Sequence, residues 1–285
     1  MLPNPDLLAS ESEIVSKFFD LQTPEDVADL LEVRSYGFLE YLVFVLPPTK
    51  QYTRFTIPKR RSGNRIILEP IPNLKIVQHK LLQVLRLVYE PKPSAHGFVN
   101  DKCITTNAAQ HVRKKYVLNV DLKDFFPSIN FGRVRGMFMA YPYHLNDKVA
   151  TVLARICSLR TCLPQGAPTS PIISNMICAK MDSQLQKVAR DHRCYYTRYA
   201  DDLTFSTSVK QFPTSLAVVI ADATGQSVHV GNELLEIIRE NGFQINQDKI
   251  RLQTRGQRQE VTGLTTNQFV NVNRKFIRQV RAMLH

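Results

Sequence analysis

Two adjacent aspartates set between two strand-forming runs constrain this chain more than any other feature. In Cys194-Tyr195-Tyr196-Thr197-Arg198-Tyr199-Ala200-Asp201-Asp202-Leu203-Thr204-Phe205-Ser206 both flanks are rich in aromatic and β-branched residues. Such residues fit pleated strands. The centre is small and acidic, which suits a tight turn. The pattern predicts a β-hairpin with Asp201 and Asp202 at its tip. Adjacent carboxylates repel, and a cation shared with a third carboxylate would remove the conflict. Hard oxygen ligands suit Mg²⁺ or Mn²⁺. A solvated turn is the plain alternative, and the rest of the chain has to decide between them.

Charge is the second constraint. The chain carries 37 Lys and Arg against 25 Asp and Glu, a net charge of +12. That favours a polyanionic partner, nucleic acid first. A basic surface without that role is the alternative. The 285 residues are enough for two or three lobes with sizeable cores. Five cysteines, Cys103, Cys157, Cys162, Cys178 and Cys194, include no Cys-x-x-Cys pair. This argues against a zinc site or a disulfide framework and fits a reducing cytoplasm. Residues 1–20 lack a basic start followed by an apolar run, and no stretch approaches the length of a membrane span. Neither a signal peptide nor a membrane partner is expected.

Taken in order, Thr23-Pro24-Glu25-Asp26 reads as a helix start, with Thr23 as N-cap. With the run Leu39–Leu46 it predicts a small N-terminal helical layer. Tyr52–Ile57 and Arg65–Pro70 read as two strands joined by the basic turn Lys59–Asn64, a shape suited to phosphate contact or merely to solvation. Leu74, Val77, Leu81, Leu85 and Val88 predict an amphipathic helix over 73–90, ended by Pro91 and Pro93. After the loop Ala95-His96-Gly97-Phe98 a helix is expected from about Thr105 to Lys115, with Asn107 and His111 on one face. Val117–Asp121 reads as a buried strand that delivers Asp121 at its end. A helix cap is the alternative for Asp121, although Asp124 suits that role better.

Residues 131–160 read as helices. Leu163-Pro164-Gln165-Gly166-Ala167-Pro168-Thr169-Ser170-Pro171 is a rigid loop in which Gly166 permits close approach. A helix over Ile172–Val188 follows. Residues 206–232 are expected to be an irregular insertion. Glu233–Glu240 reads as a helix and Gly242–Asn246 as a strand. Val261-Thr262-Gly263 is strand-like and leads into a hairpin over Leu264–Val272. Phe276, Ile277, Val280 and Leu284 open an amphipathic helix that stops at His285 without a cap, which suggests that sequence continues beyond it. There is no internal repeat or low-complexity tract.

In order and spacing these stretches resemble the reverse transcriptases. The match lies in Val120-Asp121-Leu122-Lys123-Asp124-Phe125-Phe126-Pro127-Ser128-Ile129, in Pro164-Gln165-Gly166-Ala167-Pro168-Thr169-Ser170-Pro171, and in Tyr199-Ala200-Asp201-Asp202. It covers roughly residues 50–275. Asn107-Ala108-Ala109-Gln110-His111 and Val261-Thr262-Gly263 further resemble two segments of the bacterial retron enzymes, associated there with recognising a partner non-coding RNA. That group primes on a 2′-hydroxyl of the RNA, makes a branched RNA–DNA product and acts in anti-phage defence.

The resemblance implies an α+β right-hand polymerase: an N-terminal helical region at 1–50, fingers at 51–116, an antiparallel-sheet palm at 117–263 with interleaved fingers helices, and the start of a thumb at 264–285. It implies that Asp121, Asp201 and Asp202 surround two Mg²⁺ ions, with Mn²⁺ as a substitute and Leu122 in the metal set. Lys249 would protonate pyrophosphate. Arg65, less surely Arg54, and Phe126, Gln165, Gly166 and Tyr199 would contact the deoxynucleotide, Phe126 as the ring that excludes a 2′-hydroxyl and Phe125 as core. Asn107, His111, Val261, Thr262 and Gly263 would contact RNA. The implied partners are the cognate RNA, its DNA product, dNTPs, and an effector protein or a fused C-terminal effector domain, in a bacterial cytoplasm. A group II intron-like or other defence reverse transcriptase, or a non-catalytic RNA-binding scaffold, are the rival readings.

Overall fold

In the computed structural model, which describes residues 5–58, 63–159, 161–222 and 225–284, the elements follow local chemistry closely. The chain begins with α1 (Glu11–Phe19), α2 (Pro24–Leu30), α3 (Tyr36–Glu40) and α4 (Pro48–Gln51), then β1 (Tyr52–Pro58), β2 (Asn64–Pro70) and α5 (Pro72–Val88). Next come α6 (Ile104–Ala109), β3 (Tyr116–Lys123), α7 (Phe131–Met139), α8 (Asp147–Cys157) and the long α9 (Ser170–Asp191). Strands β4 (Tyr195–Tyr199), β5 (Asp202–Thr207), β6 (Ala217–Asp222) and β7 (Gly225–Val230) precede α10 (Asn232–Glu240). Short strands β8 (Gln244–Ile245), β9 (Arg251–Thr254), β10 (Glu260–Val261) and β11 (Leu264–Thr265) lead to α11 (Arg274–Leu284). Among the described residues no helix is long and apolar enough to cross a membrane.

These elements form two compact units, one of Met1–Glu90 with Phe126–Ile177, the other of Pro91–Phe125 with Cys178–His285. In the first, α2 starts as its sequence demands. Thr23 Oγ1 accepts from the Asp26 amide and Asp26 Oδ2 accepts from the Thr23 amide, a reciprocal cap. Helix α5 buries Leu74, Val77, Leu81, Val84 and Leu85. The buried Gln78 Nε2 donates to Tyr52 Oη and to the Ile156 carbonyl, joining α5, β1 and α8. Strands β1 and β2 pair antiparallel with Ile57 opposite Arg65. Arg54 and Arg65 are exposed. The basic tip Lys59–Ser62 lies outside the described residues. Asn130, rather than Asp124, caps the next helix, its Oδ1 accepting from the Arg133 amide.

In the second unit, β3 is flanked on both sides. Strand β5 pairs along one edge, and β9 and β8 share the other, all antiparallel. Strand β4 closes the β5 side. Val117, Leu118, Val120 and Leu122 of β3 are buried, and Phe125 stacks on Phe243 at 5.6 Å.

Three expectations change. The helix predicted over 105–115 ends at Ala109, because the chain then turns His111 inward, with Arg113 at φ +59. The insertion at 206–232 is not irregular: β6 and β7 form a hairpin with Ala217 opposite Val230. The strand expected to end at Asp121 runs on to Lys123, because Leu122 and Lys123 find a partner strand in β8. The hairpin expected over Leu264–Val272 is present, with Thr265 opposite Asn271, and a tighter one precedes it, turning at Thr262-Gly263 with φ +48 and +82 and pairing Val261 with Leu264.

In the first unit the Leu68 amide donates to the Gln165 carbonyl at 2.8 Å. Gly166 sits beside it at φ +123, where an added Cβ would lie 2.8 Å from Ile67 Cγ2. Gly166→Ala is therefore expected to cost about 1–3 kcal/mol in backbone strain. Thermal melting would register this as a lower midpoint, and an unchanged midpoint would show that the loop has room to give.

Candidate active site

The aspartates come together through strand register. Asp121 on β3 lies opposite Asp202 at the start of β5. Tyr199 pairs with Asp202, so Ala200 and Asp201 form a two-residue turn, with Ala200 at φ +55. The Leu122 amide donates to the Asp201 carbonyl at 2.9 Å, tying the turn to β3. The expected hairpin is present, and the third carboxylate is Asp121.

Each carboxylate has a different setting. Asp121 is 7% exposed. Both of its oxygens accept from Lys249 Nζ at 2.9 Å, and Oδ1 also accepts from Asn246 Nδ2 at 3.2 Å. Asp202 keeps open surface, yet protein crowds its carboxyl. Restricted hydration, then the charges of Asp201 and Asp121, push it up to about 7, against the pull of Lys249 and Arg251. The site therefore holds more negative charge than its own cations balance.

That donor set fits a hard divalent cation, because every side-chain donor is a carboxylate oxygen. Among the described residues no group of three or more His, Cys, Asp or Glu side chains is closed up to hold a metal ion. Lys249 supplies the positive charge at Asp121. Asp121, Asp201 and Asp202 would hold such a cation, and its charge would offset the part of the Asp202 rise that comes from its neighbours' charge.

Beneath the turn lies a buried ionic cluster. Arg198 and Asp182 both have fully buried side chains. Arg198 Nε and Nη2 donate to the two Asp182 oxygens at 2.9 and 2.7 Å, and Nη1 donates to the Ala200 carbonyl at 3.2 Å. Tyr196 Oη donates to the same carboxylate at 2.9 Å. The bidentate pair thus anchors the left-handed residue that precedes Asp201. The loop before α6 supports the turn from the side. The His96 amide donates to the Arg198 carbonyl at 2.8 Å. A Cβ at Gly97 would lie 2.6 Å from the Ala200 nitrogen, so only glycine lets the loop pass there.

Arg198, Asp182, Gly97 and Asn246 were not singled out by the sequence reading. A signal existed for one of them: Asp182 sits at helical spacing with Cys178, Leu185 and Ala189, a stripe that is otherwise apolar and buried. An acid there needs a buried cation.

The residues expected to contact RNA are placed differently. Asn107 and His111 are buried at 1% and 0% exposure, so neither presents a surface group. His111 Nδ1 and Nε2 lie 2.7 Å from Ser206 Oγ and Thr197 Oγ1, bridging α6 to β5 and β4. Burial holds its pKa down at about 3, so the ring is neutral, with one nitrogen donating and the other accepting. Asn107 Nδ2 reaches Thr262 Oγ1 at 3.5 Å. Its Oδ1 is buried without a partner among the described residues. Val261 joins Ala108, Val117 and Leu264 in a small core. Of this set only Thr262 and Gly263, at the hairpin tip, keep accessible surface.

The nucleotide set divides between the units. Tyr199 is half-buried in the second. Arg65, Phe126, Gln165 and Gly166 belong to the first, where Arg65 is exposed and Phe126 and Gln165 are half-buried. Phe125, by contrast, is buried, as expected of a core residue.

Residues 57–268 match the family described as reverse transcriptase (RNA-dependent DNA polymerase). The chain is 37% identical to the Retron Mx65 reverse transcriptase of Myxococcus xanthus, over 98% of this chain and 66% of that protein. It is 35% identical to the Retron Mx162 reverse transcriptase of the same organism, over 82% and 52%. It is 33% identical to the Retron Ec86 reverse transcriptase of Escherichia coli, over 82% and 69%. The chain thus spans less than two thirds of the two Myxococcus relatives. Among solved structures, telomerase from Candida albicans in complex with a TWJ fragment of telomeric RNA aligns with a TM-score of 0.53 at 14% identity, over 78% of this chain and 46% of that one. Telomerase from Candida Tropicalis with the same kind of fragment gives 0.51 at 14% identity, over 79% and 45%. At these identities the likeness is one of fold, the right-hand polymerase architecture of mixed helices and antiparallel sheet.

The Arg198–Asp182 pair can be tested apart from any activity. Asp182→Asn keeps the shape but strands a buried guanidinium, and is expected to cost about 3–5 kcal/mol. Replacing both partners by apolar residues, Asp182→Leu with Arg198→Met, is expected to cost much less. Urea denaturation of the two variants checks this, and equal losses would mean that the charges do not depend on each other.

Proposed function

The chain belongs to the reverse transcriptases, and within them to the retron group, and from that premise we propose that it copies a partner non-coding RNA into DNA. One observation carries the reading. Asp121 and Asp202 face each other across paired strands, and Asp201 is tied in by its own carbonyl, so three carboxylates converge; restricted hydration and then its neighbours' charge raise the Asp202 carboxyl. A non-catalytic RNA scaffold would gain nothing from three carboxylates near a polyanion.

The family works with divalent metal ions. In this reading the ions are two Mg²⁺, for which Mn²⁺ can substitute, held by Asp121 and Asp201 with Asp202 supporting and the main chain at Leu122 alongside. Bound there, they would activate the primer hydroxyl and neutralise the leaving pyrophosphate. Lys249, whose Nζ pairs with Asp121, is assigned the transfer of a proton to pyrophosphate. Arg65 is assigned to the triphosphate, Gln165, Gly166 and Tyr199 to the nucleotide, and Phe126 to the space a 2′-hydroxyl would need. Asn107 and His111 act on RNA choice from behind, Asn107 by fixing the Thr262-Gly263 turn and His111 by bridging Thr197 of β4 and Ser206 of β5.

The substrates are dNTPs and an RNA template primed from its own 2′-hydroxyl, giving a branched RNA–DNA product. The setting is a bacterial cytoplasm, consistent with five unpaired cysteines. The biological role is anti-phage defence with an effector protein or a fused effector domain.

Asp201→Asn with Asp202→Asn is expected to reduce dNTP incorporation to background. RNA binding and the thermal midpoint should persist, because the change removes repulsion rather than packing. Incorporation at the wild-type rate would sink the metal assignment. Phe126→Ala is expected to lower the preference for dNTP over rNTP by about tenfold or more, as a filled pocket is opened. Single-nucleotide incorporation assays measure this, and an unchanged preference would assign the sugar gate to another residue.

A further inference from the structure

A second concave site lies within the Pro91–Phe125 and Cys178–His285 unit, at the start of β4, the end away from Asp201. Its volume is about 640 Å³, the size of a small-ligand pocket. It is bounded by the loop before α6, by the C-terminal end of α9 and by β4. Lys102, Arg190 and Arg193 line it, and among the described residues no Asp or Glu does. Lys102 Nζ is held by the carbonyls of Pro93 and Ala95 at 2.7 and 2.8 Å, which fixes its charge in the wall. Arg190 and Arg193 are exposed, and neither side chain has an ion-pair or hydrogen-bond partner among the described residues.

Two further groups narrow the ligand. His96 is 5% exposed and lines the same wall. Its Nδ1 lies 3.2 Å from the Ser94 carbonyl, an acceptor, so Nδ1 is the donor. Burial lowers its pKa, and with Nδ1 as the donor a neutral ring presents Nε2 as an acceptor. An acceptor among cations suits a hydroxyl beside a phosphate. Tyr195 lines the pocket and is 52% exposed, with Lys114 Nζ 3.5 Å from its ring centroid. An aromatic ring of this kind can carry an unpaired base. Gln110, from the Asn107–His111 segment, completes the set.

We propose that this pocket binds a phosphate–ribose segment of single-stranded RNA, outside the catalytic carboxylates. The proposal rests on the reading that this chain works on RNA. Cations meet the phosphate, the His96 acceptor meets a 2′-hydroxyl, and Tyr195 offers a stacking face. The result is an anchor for an unpaired stretch of the partner RNA while another stretch is copied.

The test uses the full chain and the double variant R190E/R193E. Fluorescence anisotropy would measure binding of a single-stranded RNA oligonucleotide, and of DNA of the same sequence, across a salt series. Extension of a DNA primer on an RNA template would be followed in parallel at saturating duplex. RNA affinity in the variant is expected to fall by about tenfold or more. The salt slope should shrink by about 1.4, two single-strand phosphate contacts' worth. The preference for RNA over DNA should narrow, while primer extension is retained. Unchanged RNA affinity and slope would overturn the proposal. So would equal loss of binding and extension in R190E/R193E and in the milder R190Q/R193Q, which would make the arginines structural. Saturation of the pocket by a ribonucleoside monophosphate without any effect on RNA binding would make it a small-molecule site, and would also overturn it. A wild-type chain that binds RNA but extends nothing would refute the polymerase reading and leave the pocket result standing.

Discussion

Three carboxylates cannot converge at the edge of a sheet unless something else holds the backbone there. The repulsion among Asp121, Asp201 and Asp202 is the constraint around which the second unit is built. It adds to restricted hydration, the larger cause, in raising the Asp202 carboxyl to about 7. Two devices offset it. Lys249 lies on Asp121 with both oxygens engaged. Below the turn, the Arg198–Asp182 pair takes no part in the repulsion but grips the Ala200 carbonyl. The first device can give way to a cation, because Lys249 is exposed and flexible. The second resists, because separating two fully buried charges costs about 3–5 kcal/mol. The site is therefore soft toward ligands and rigid in its backbone, as phosphoryl transfer by positioning and charge neutralisation requires.

The two segments expected to contact RNA show the same division between support and surface. His111 spends both ring nitrogens on hydroxyls of β4 and β5. Asn107 leans on Thr262, and Val261 is buried with Ala108. Two stretches about 150 residues apart thus form one small structure whose outward part is a two-residue turn. A turn with both residues at positive φ presents backbone groups and little side chain. That suits recognition of RNA by shape and 2′-hydroxyls better than by base edges.

Legibility followed the range of the interactions. The strands around Asp201 and Asp202, the cap at Thr23 and the α5 stripe were readable because propensity, capping and periodicity act over a few residues. The helix expected as far as Lys115 failed because burying an imidazole between two hydroxyls outweighed continuing helical propensity past Ala109. The hairpin at Ala217–Val230 was hidden because its strands, Ala-Val-Val-Ile-Ala-Asp and Gly-Gln-Ser-Val-His-Val, alternate poorly. Arg198 was read as part of a strand and Asp182 as part of a helix. Nothing local told that the two would meet.

By itself the sequence determined the chemistry on offer: which carboxylates exist, that two of them sit at a hairpin's tight turn, that a third lies on a buried strand, and that the chain is strongly basic. Motif order was enough to name the family. Only the tertiary structure decided which groups face each other. It set Asp121 opposite Asp202, put Lys249 on Asp121, turned Asn107 and His111 inward, and gathered Lys102, Arg190 and Arg193 around one pocket. The physical reason is that these pairings are fixed by strand register and by burial, which depend on residues tens to more than a hundred positions apart. Local patterns set each segment's shape but carry no information on what it will be packed against.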